Sequence, residues 1–528
     1  MSATFQPDRM PGYVLPKYAY RRPPELSGGE SPVYPVAVVG AGLGGLTAAL
    51  ELGRRGVQTL LIDDDDTVGA QGLSSRGICH AKRTLEIYDR FGVAGKVRAK
   101  GVTWNEGDVF ARDQHIFRFD LQPERDQKFP AFVNLQQFYV EQYLVEALRA
   151  VPAVDLRWKS RVVDVRPHPD HVALEVETPD GRYALRARYV VGADGAHSVL
   201  REKLGAKDAE SALFENHWCI ADVKMSGSPG AVRKAYLDAP QNEGGAIWYH
   251  QMADGVWRTD WLISHYDDPD GEATPERARA RLRKLLGPDM PFELIWVGPW
   301  RFRRRVLEKM THGRVFFLGD ACAQHSPFGA RGGNRAVQDA NNLGWKLALV
   351  LQDKARPALL ETYELERHFA ARENVEIASR SAMFIAPETD GQRRVRDAFL
   401  ELARRHEWAR PMVNVGRLSV ASVYAFSPLN SEAGHLDAPA AQPGAAAPDG
   451  RFGEGFLVEQ LGEEFVVAYF GQDGPAVEGA KVLCVRRGSD DALFRRYGVE
   501  DRATYVFRPD GHVLARCPGI DGAFAARA

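Results

Sequence analysis

Residues 36–63 read VAVVGAGLGGLTAALELGRRGVQTLLID. The first five form a continuous apolar run with a glycine at its end, the pattern of a strand buried on both faces. Leu43, Leu46, Ala49, Leu50 and Gly53 then recur at helical spacing and predict a helix through about Arg55, and QTLLID supplies a second strand ending at Asp63. This is a βαβ unit. Gly40, Gly42 and Gly45 stand in GxGxxG register at its first turn. Gly40 permits a tight turn, Gly42 lets a pyrophosphate approach the backbone, and Gly45 lets helix and strand close up. The helix N-terminus offers N–H donors to phosphate, and Asp63 can accept hydrogen bonds from a ribose diol. An acid at that position suits a ribose with a free 2′-hydroxyl, as in FAD or NAD. The competing reading is a tight βα turn with no ligand. Only one such fingerprint occurs, whereas a flavin enzyme with a separate pyridine-nucleotide domain would usually show two.

The rest of the chain is compatible with an ordinary globular protein of two or three domains. Of 528 residues 45% are apolar, and 68 Lys plus Arg nearly balance 70 Asp plus Glu, so no overall field draws the chain to nucleic acid or an anionic membrane. The expected partner is a small molecule, with no nucleic acid. The five cysteines lie far apart without a CxxC pair, which predicts neither a metal site nor a dithiol redox centre. No signal-peptide h-region and no run of about 18 apolar residues occurs, so a cytoplasmic protein without a membrane span is expected. Residues 1–33 read as an irregular N-terminal extension that packs on the surface.

Helical periodicity returns at 84–91 and 134–150, and residues 153–187 read as a β-meander with a turn at TPDG. Residues 209–300 alternate aromatic and β-branched positions, with a hairpin signal at ADG between AIWYHQM and VWRTDWLI, which predicts a mostly antiparallel second domain. RVFFLGD (314–320) is again a buried strand, followed by helices to about residue 425. The Ala/Pro-rich segment 434–450 reads as a linker, and 450–528 as a small α/β module. The first domain is therefore discontinuous, built from 34–208 and 301–430.

Two further motifs follow strands. GADGAHSVLR (192–201) places Asp194 and Gly195 in a turn; alone it reads first as a capped turn with a surface arginine. GDACAQHSPFGARGGN (319–334) places Asp320 at a strand end, then Pro327, Gly329, Gly332 and Gly333 before a helix whose first turn holds Asn334. Such a helix end would suit an electron-rich ring or an anion, and Asp320 a hydroxylated chain.

The three motifs, in this order and at these separations, resemble those of the single-component FAD-dependent aromatic hydroxylases, the para-hydroxybenzoate and phenol hydroxylase family, over about residues 34–425. The resemblance implies a Rossmann-like α/β FAD domain, an antiparallel substrate sheet and, from FRPDGHVLAR (507–516), a thioredoxin-like C-terminal module. It implies that Gly40, Gly42, Gly45 and Asp63 bind the ADP half of FAD, that Asp194 serves FAD and the reduced nicotinamide, and that Asp320 binds the ribityl chain. Gly332, Gly333 and Asn334 would face the pyrimidine edge of the flavin, Pro327 its ring, and Arg76 and Gln137 match further flavin contacts. YELER (363–367) matches the helix that usually follows. Many members carry a second proline where Ser326 stands and a small or amide residue where Arg331 stands; Arg331 is either a substrate or flavin contact or, the blander reading, a surface arginine.

The implied activity is hydroxylation of a phenolic or other electron-rich aromatic substrate by O2 through a flavin C4a-hydroperoxide, with NADH or NADPH as transient reductant. Alternatives are a flavin-dependent halogenase or reductase, or a non-catalytic FAD-binding scaffold; the halogenase WxWxIP signature is absent. A group assisting phenol deprotonation would come from the substrate sheet, where Tyr236, Tyr249, His250 and His217 are candidates, although a histidine or tyrosine in an aromatic-rich sheet is more often simply core or surface. Trp248, Trp257 and Trp261 line the ring pocket or simply fill the core. The C-terminal module, lacking CxxC, is expected to pack or make oligomer contacts, with a homodimer as a possible assembly.

Overall fold

The computed structural model describes residues 13–28, 32–69, 77–124, 126–225, 232–264, 267–415, 418–488 and 490–528. Strand β1 (Val33–Val39) leads through a glycine turn into helix α1 (Leu43–Arg54) and strand β2 (Thr59–Ile62), as the opening segment predicts. β1 lies at the centre of a parallel sheet, with strand β3 (Gly181–Gly192) and then β4 (Val315–Phe317) on one side, and β2 and Val154–Arg157 on the other. These strands read as continuous apolar runs because helices cover both faces. Residues 153–187 form the expected meander except for Val154–Arg157, which joins β2 in parallel instead.

α1 packs on the long helix α2 (Gly332–Leu351) through small residues. A Cβ on Gly44 would lie 3.3 Å from Ala336 Cβ of α2, and one on Gly344 would lie 2.5 Å from Glu51 Cβ of α1. The glycines thus set how closely the helices approach.

The second sheet is larger than residues 209–300. Eight strands run in the order Ala323–Gln324, Phe292–Leu307, Asp208–Met225, Val256–Ile263, Ile247–Gln251, Arg233–Leu237, Glu106–Ala111 and Gln114–Asp120. The upstream pair enters because Arg233–Leu237 would otherwise present an unpaired edge; Lys234–Leu237 pair in parallel with Asp108–Ala111. The ADG hairpin forms where expected, with Asp254 at φ 63° and Gly255 at φ 68°.

The N-terminal segment packs on the first domain: Tyr18 stacks on Trp158 with ring centroids 4.6 Å apart, and Tyr13 lies 4.7 Å from Phe138. The 434–450 segment corrects the expectation of a free linker. Leu436, Ala438, Ala441, Ala445 and Ala447 are buried, and Gly444, at φ 86°, passes so close to Tyr424 that a Cβ would meet its carbonyl oxygen at 2.4 Å. Small side chains here permit close packing, where composition alone suggests flexibility.

The C-terminal module is a five-stranded mixed sheet, and its cysteines Cys484 and Cys517 are free thiols. It docks on α2 and helix α3 (Glu361–Ile385) through charge. Arg508 donates to both oxygens of Glu366 at 2.7 and 3.1 Å, Lys346 Nζ lies 2.7 Å from Glu366, and Arg508 also pairs with Asp510, all with 0% side-chain exposure. Burial opposes ionisation of Glu366, but Arg508 and Lys346 hold its carboxyl below the usual range. Removing one member strands its partners, at a cost of about 3–5 kcal/mol. Arg508→Ala should therefore shift the chemical-denaturation midpoint by that equivalent; a midpoint equal to wild type would show the cluster to be energetically idle.

Candidate functional site

The three motif turns sit side by side at the carboxyl ends of adjacent parallel strands, the edge where open α/β sheets bind ligands. Gly40 N–H donates to the Ile62 carbonyl at 2.8 Å, Ala193 N–H to Val39 at 2.8 Å, and Leu318 N–H to Gly192 at 3.0 Å. Gly40 has φ 102°, and a Cβ there would lie 2.5 Å from the Ala193 carbonyl oxygen. On Gly45 a Cβ would lie 1.8 Å from the Gly40 oxygen, whereas on Gly42 the nearest atom would be Glu141 Oε1 at 3.9 Å. Two glycines of the fingerprint are thus demanded by the chain itself. The third borders open space, as a phosphate-approach glycine must.

Asp63 ends β2 and accepts from the N–H groups of Ala41 and Asp65. Burial lifts its carboxyl to about 7, against those two donors. Gln137 Oε1 accepts from Gly77 N–H at 3.1 Å, and its amide donates to Glu141 at 2.7 Å; Glu141 also accepts from Gly69 N–H at 2.9 Å. The pair therefore holds Gly69 and Gly77 through their backbone N–H groups. Arg76 lies outside the described residues.

Asp194 Oδ2 accepts from Leu200 N–H at 3.1 Å, while its buried Oδ1 has no hydrogen-bond partner among the described residues. Ser198 caps the following helix, and Arg201 is more than a surface arginine: it donates to Ala196 O at 2.7 Å and Ala321 O at 3.0 Å, joining the second turn to the third.

At the third turn Gly319 has φ 59°, and Asp320 is exposed. Gly319 N–H donates to Asp339 at 3.1 Å, and its carbonyl accepts from Arg335 at 2.8 Å. Pro327 closes a turn by accepting from Ala330 N–H at 2.9 Å and keeps an exposed face. Gly332 has room beside it, since a Cβ there would come no closer than 3.9 Å to His325 Cε1, and Gly333 rests against Leu43. Asn334 differs from expectation: its amide oxygen accepts from Ala81 N–H and the Thr84 hydroxyl, and its NH2 donates to Cys79 O at 2.9 Å and to Ala330 O. Its side chain clamps strand Cys79–Ala81, leaving backbone N–H groups at the helix end. Ser326 and Arg331 are also structural. Ser326 is buried and donates to Ala378 O at 3.0 Å; Arg331, 1% exposed, donates to Asn374 at 2.7 Å and Leu418 O at 3.2 Å, so it is not a surface arginine.

The antiparallel sheet faces these turns through Phe328, whose ring packs 5.0 Å from Trp218, 5.8 Å from Phe302 and 5.9 Å from Trp248. Strand alternation then assigns every position a face. Tyr249 stacks on Trp257 at 4.4 Å and Tyr236 on Phe110 at 4.7 Å, on the side covered by helix Pro275–Leu286, and His217 shares that side because its neighbour Trp218 faces Phe328. These three proton-transfer candidates point away from the turns, and Trp257 and Trp261 are core residues. His250 does face inward, but Arg233 donates to its Nδ1 at 3.3 Å, and burial with Arg233 and Arg258 holds its pKa well below the usual value. It is a neutral ring, already occupied as an acceptor.

The inward face carries a charged belt that no sequence motif announces. Across it lie Asp222, Arg258, His250 and Arg233 as successive cross-strand partners, with Asp260 one step along, opposite Trp248. Arg258 holds Asp222 in a two-pronged pair at 2.9 and 3.0 Å. The signal that could have found it is the ADG hairpin combined with period two, which puts 248, 250, 258 and 260 on one face.

The residues fit FAD: an open glycine, an acid at the second strand end, an exposed acid at the third turn and a free helix end converge there. Residues 33–378 match the family model described as FAD binding domain. Aklavinone 12-hydroxylase RdmE of Streptomyces purpurascens is 30% identical over 91% of this chain and 95% of its own length. The 6-methylpretetramide 4-monooxygenase of Streptomyces rimosus is 30% identical over 94% and 92%. A solved aklavinone-11 hydroxylase in ternary complex with FAD and aklavinone superimposes with a TM-score of 0.70 at 26% identity, covering 95% of this chain and 98% of that one.

The glycines should separate on mutation. Gly45→Ala is expected to unfold or strongly destabilise the chain, while Gly42→Ala should leave the denaturation midpoint of the ligand-free protein within about 0.5 kcal/mol of wild type. Equal effects would remove the distinction between packing and ligand-facing glycines.

Proposed function

This chain belongs to the FAD binding domain family, as a flavin-dependent aromatic monooxygenase, and from that premise we propose that it hydroxylates a fused-ring phenol at the expense of NADH or NADPH and O2. The observation that carries the reading is the meeting of three strand-end turns and the N-terminus of α2 beneath a sheet face whose Trp218, Trp248 and Phe302 pack on Phe328 of the loop before α2. The relatives named for aklavinone and 6-methylpretetramide support a substrate of more than one ring.

In this reading Gly40, Gly42, Gly45 and Asp63 receive the ADP half of FAD, Asp63 accepting from the ribose hydroxyls. Asp320 accepts from the ribityl hydroxyls, and Asp194, with its unused Oδ1, serves the same cofactor. Backbone N–H groups of Gly332 and Gly333 supply fixed partial positive charge at the flavin's polar edge, a preorganised electrostatic contribution. Pro327 and Phe328 close the ring site against the sheet. Gln137 holds Gly77 and Glu141. When bound, FAD supplies the two-electron chemistry and oxygen activation; the protein supplies orientation and a dry cavity, since water entry wastes reduced cofactor as peroxide. No helix among the described residues is long and apolar enough to cross a membrane, and no three-member His/Cys/Asp/Glu metal cluster occurs among them.

Purified protein should be yellow, and NAD(P)H oxidation should rise when a fused-ring phenol is added, with one atom from labelled O2 in the product. Colourless protein that cannot be reconstituted with FAD would end this reading. Asp320→Ala should weaken FAD retention by about tenfold, the worth of roughly one charge-assisted hydrogen bond; Gly42→Ala should do so without loss of apoprotein stability. Unchanged flavin occupancy in both would place the cofactor elsewhere.

A further inference from the structure

The charged belt on the inward face contains one acid and one arginine that do not satisfy each other. Arg233 is 6% exposed and clamped between two indoles, its guanidinium carbon 5.2 Å from the Trp104 ring centre and 5.1 Å from that of Trp248. The polar groups it bonds are neutral, namely the His250 ring and Cys79, whose thiol burial pushes up to about 11, while Asp260 acts on it through the field and not through a hydrogen bond. No ion pair to Arg233 forms among the described residues. Asp260 sits in the middle of the sheet, yet keeps 21% of its side chain exposed; its Oδ1 is buried without a partner among the described residues, and its Oδ2 lies 3.9 Å from the neutral His250 ring. Directly opposite it, the buried Trp248 Nε1–H also lacks an acceptor among the described residues.

A buried arginine without a carboxylate and a carboxylate without a donor are each costly. Their position explains their survival. Ala330 of the loop before α2 packs against the cluster of Ala81, Trp104, Ala131 and Phe132, and Asn334 of α2 holds the carbonyl of Cys79, so the cluster borders the helix end assigned to the flavin ring. The groups facing Asp260 are Arg258, Asp222, Arg233 and His250; Arg258 is already committed to Asp222, which leaves Arg233 as the uncommitted cation.

We propose that Asp260 and Arg233 activate the substrate: Asp260 takes the proton of the ring hydroxyl and Arg233 holds the phenolate produced. The O–H bond breaks, its proton passes to the Asp260 carboxylate, and its electron pair stays on the ring oxygen, raising the electron density that oxygen transfer requires. Trp104 and Trp248 keep the guanidinium in place, and Trp248 Nε1–H can donate to the same oxygen. The inference rests on the aromatic hydroxylase reading and adds a residue pair to it. Burial lifts the Asp260 carboxyl to about 7, opposed by Arg258 and Arg233, which suits a proton acceptor working near neutrality. Phenolate formation should accordingly fall as pH drops through that value, because the protonated acid cannot accept.

The test uses FAD-loaded full-length protein and umbelliferone, a fused-ring phenol whose ionised form has its own absorption band. Below the dye's own ionisation pH, wild type should bind it as the phenolate. Asp260→Asn should bind it un-ionised, with the phenolate fraction reduced at least tenfold; Arg233→Gln should weaken binding at least tenfold, with partial recovery in Arg233→Lys. Tyr249→Phe, on the outer face, should match wild type. Unbound or un-ionised dye in wild type, or full ionisation by both Asp260→Asn and Arg233→Gln, overturns the proposal. Flavin content and NAD(P)H-driven flavin reduction, read on the same samples, separate the two levels: their failure sinks the hydroxylase reading, while their persistence with un-ionised dye sinks only the Asp260–Arg233 pair.

Discussion

The arrangement of the site depends on one buried carboxylate. Asp339, on α2 with 0% exposure, accepts from Arg335 at 2.7 Å, from Arg367 Nε at 2.7 Å and from Gly319 N–H at 3.1 Å. A fully buried acid is tolerated there because two guanidinium groups and a backbone donor surround it. Those contacts fix α2, α3 and the end of β4 relative to one another. Arg335 also donates to Gly319 O and Ala323 O, so the turn bearing Asp320 is held on both its donor and acceptor sides. Beside Arg367 on α3 stands Glu366, the anchor for Arg508. The C-terminal module therefore backs the helix that backs the turn.

The second constraint is the two-sidedness of the large sheet. One face is apolar and closed by helix Pro275–Leu286, where Tyr249, Trp257 and Trp261 fill space. The other has an apolar band around Phe328 and Trp218, a smaller one around Ile78, Met252 and Val256, and the charged belt between them. Charge is tolerated there because the groups are largely paired or neutralised: Asp222 with Arg258, His250 held neutral beside Arg233. Asp260 and Arg233 remain as the unmatched pair, at the place where the belt meets the loop before α2.

Much of the first domain was legible from local pattern. β1, α1, β2 and the terminal Asp63 follow from apolar periodicity and glycine spacing, and the hairpin at Asp254–Gly255 from its turn residues. The substrate-sheet candidates were not legible. Tyr and His side chains stood out by chemistry, whereas position depends on strand parity, and a shift of one residue exchanges the faces. Arg331 and Ser326 looked like departures at the ligand site because neither's partner, Asn374 with Leu418 or Ala378, is near in sequence. The Ala/Pro-rich segment was misleading for a related reason: the composition of a flexible linker is also that of a chain that packs closely on Tyr424.

By itself the sequence determined the βαβ unit, the three strand-end turns and the kind of cofactor they suit, because those features rest on backbone conformation and spacing within a few residues. Tertiary structure decided which side chains meet the ligand space. It turned Asn334 into a clamp, buried Arg331, set Tyr236, Tyr249 and His217 on the far face and put Asp260 and Arg233 on the same inward face. Those outcomes depend on strand pairing and helix contacts between segments up to a few hundred residues apart, and on the cost of burying charge, which is settled only once every neighbour is in place.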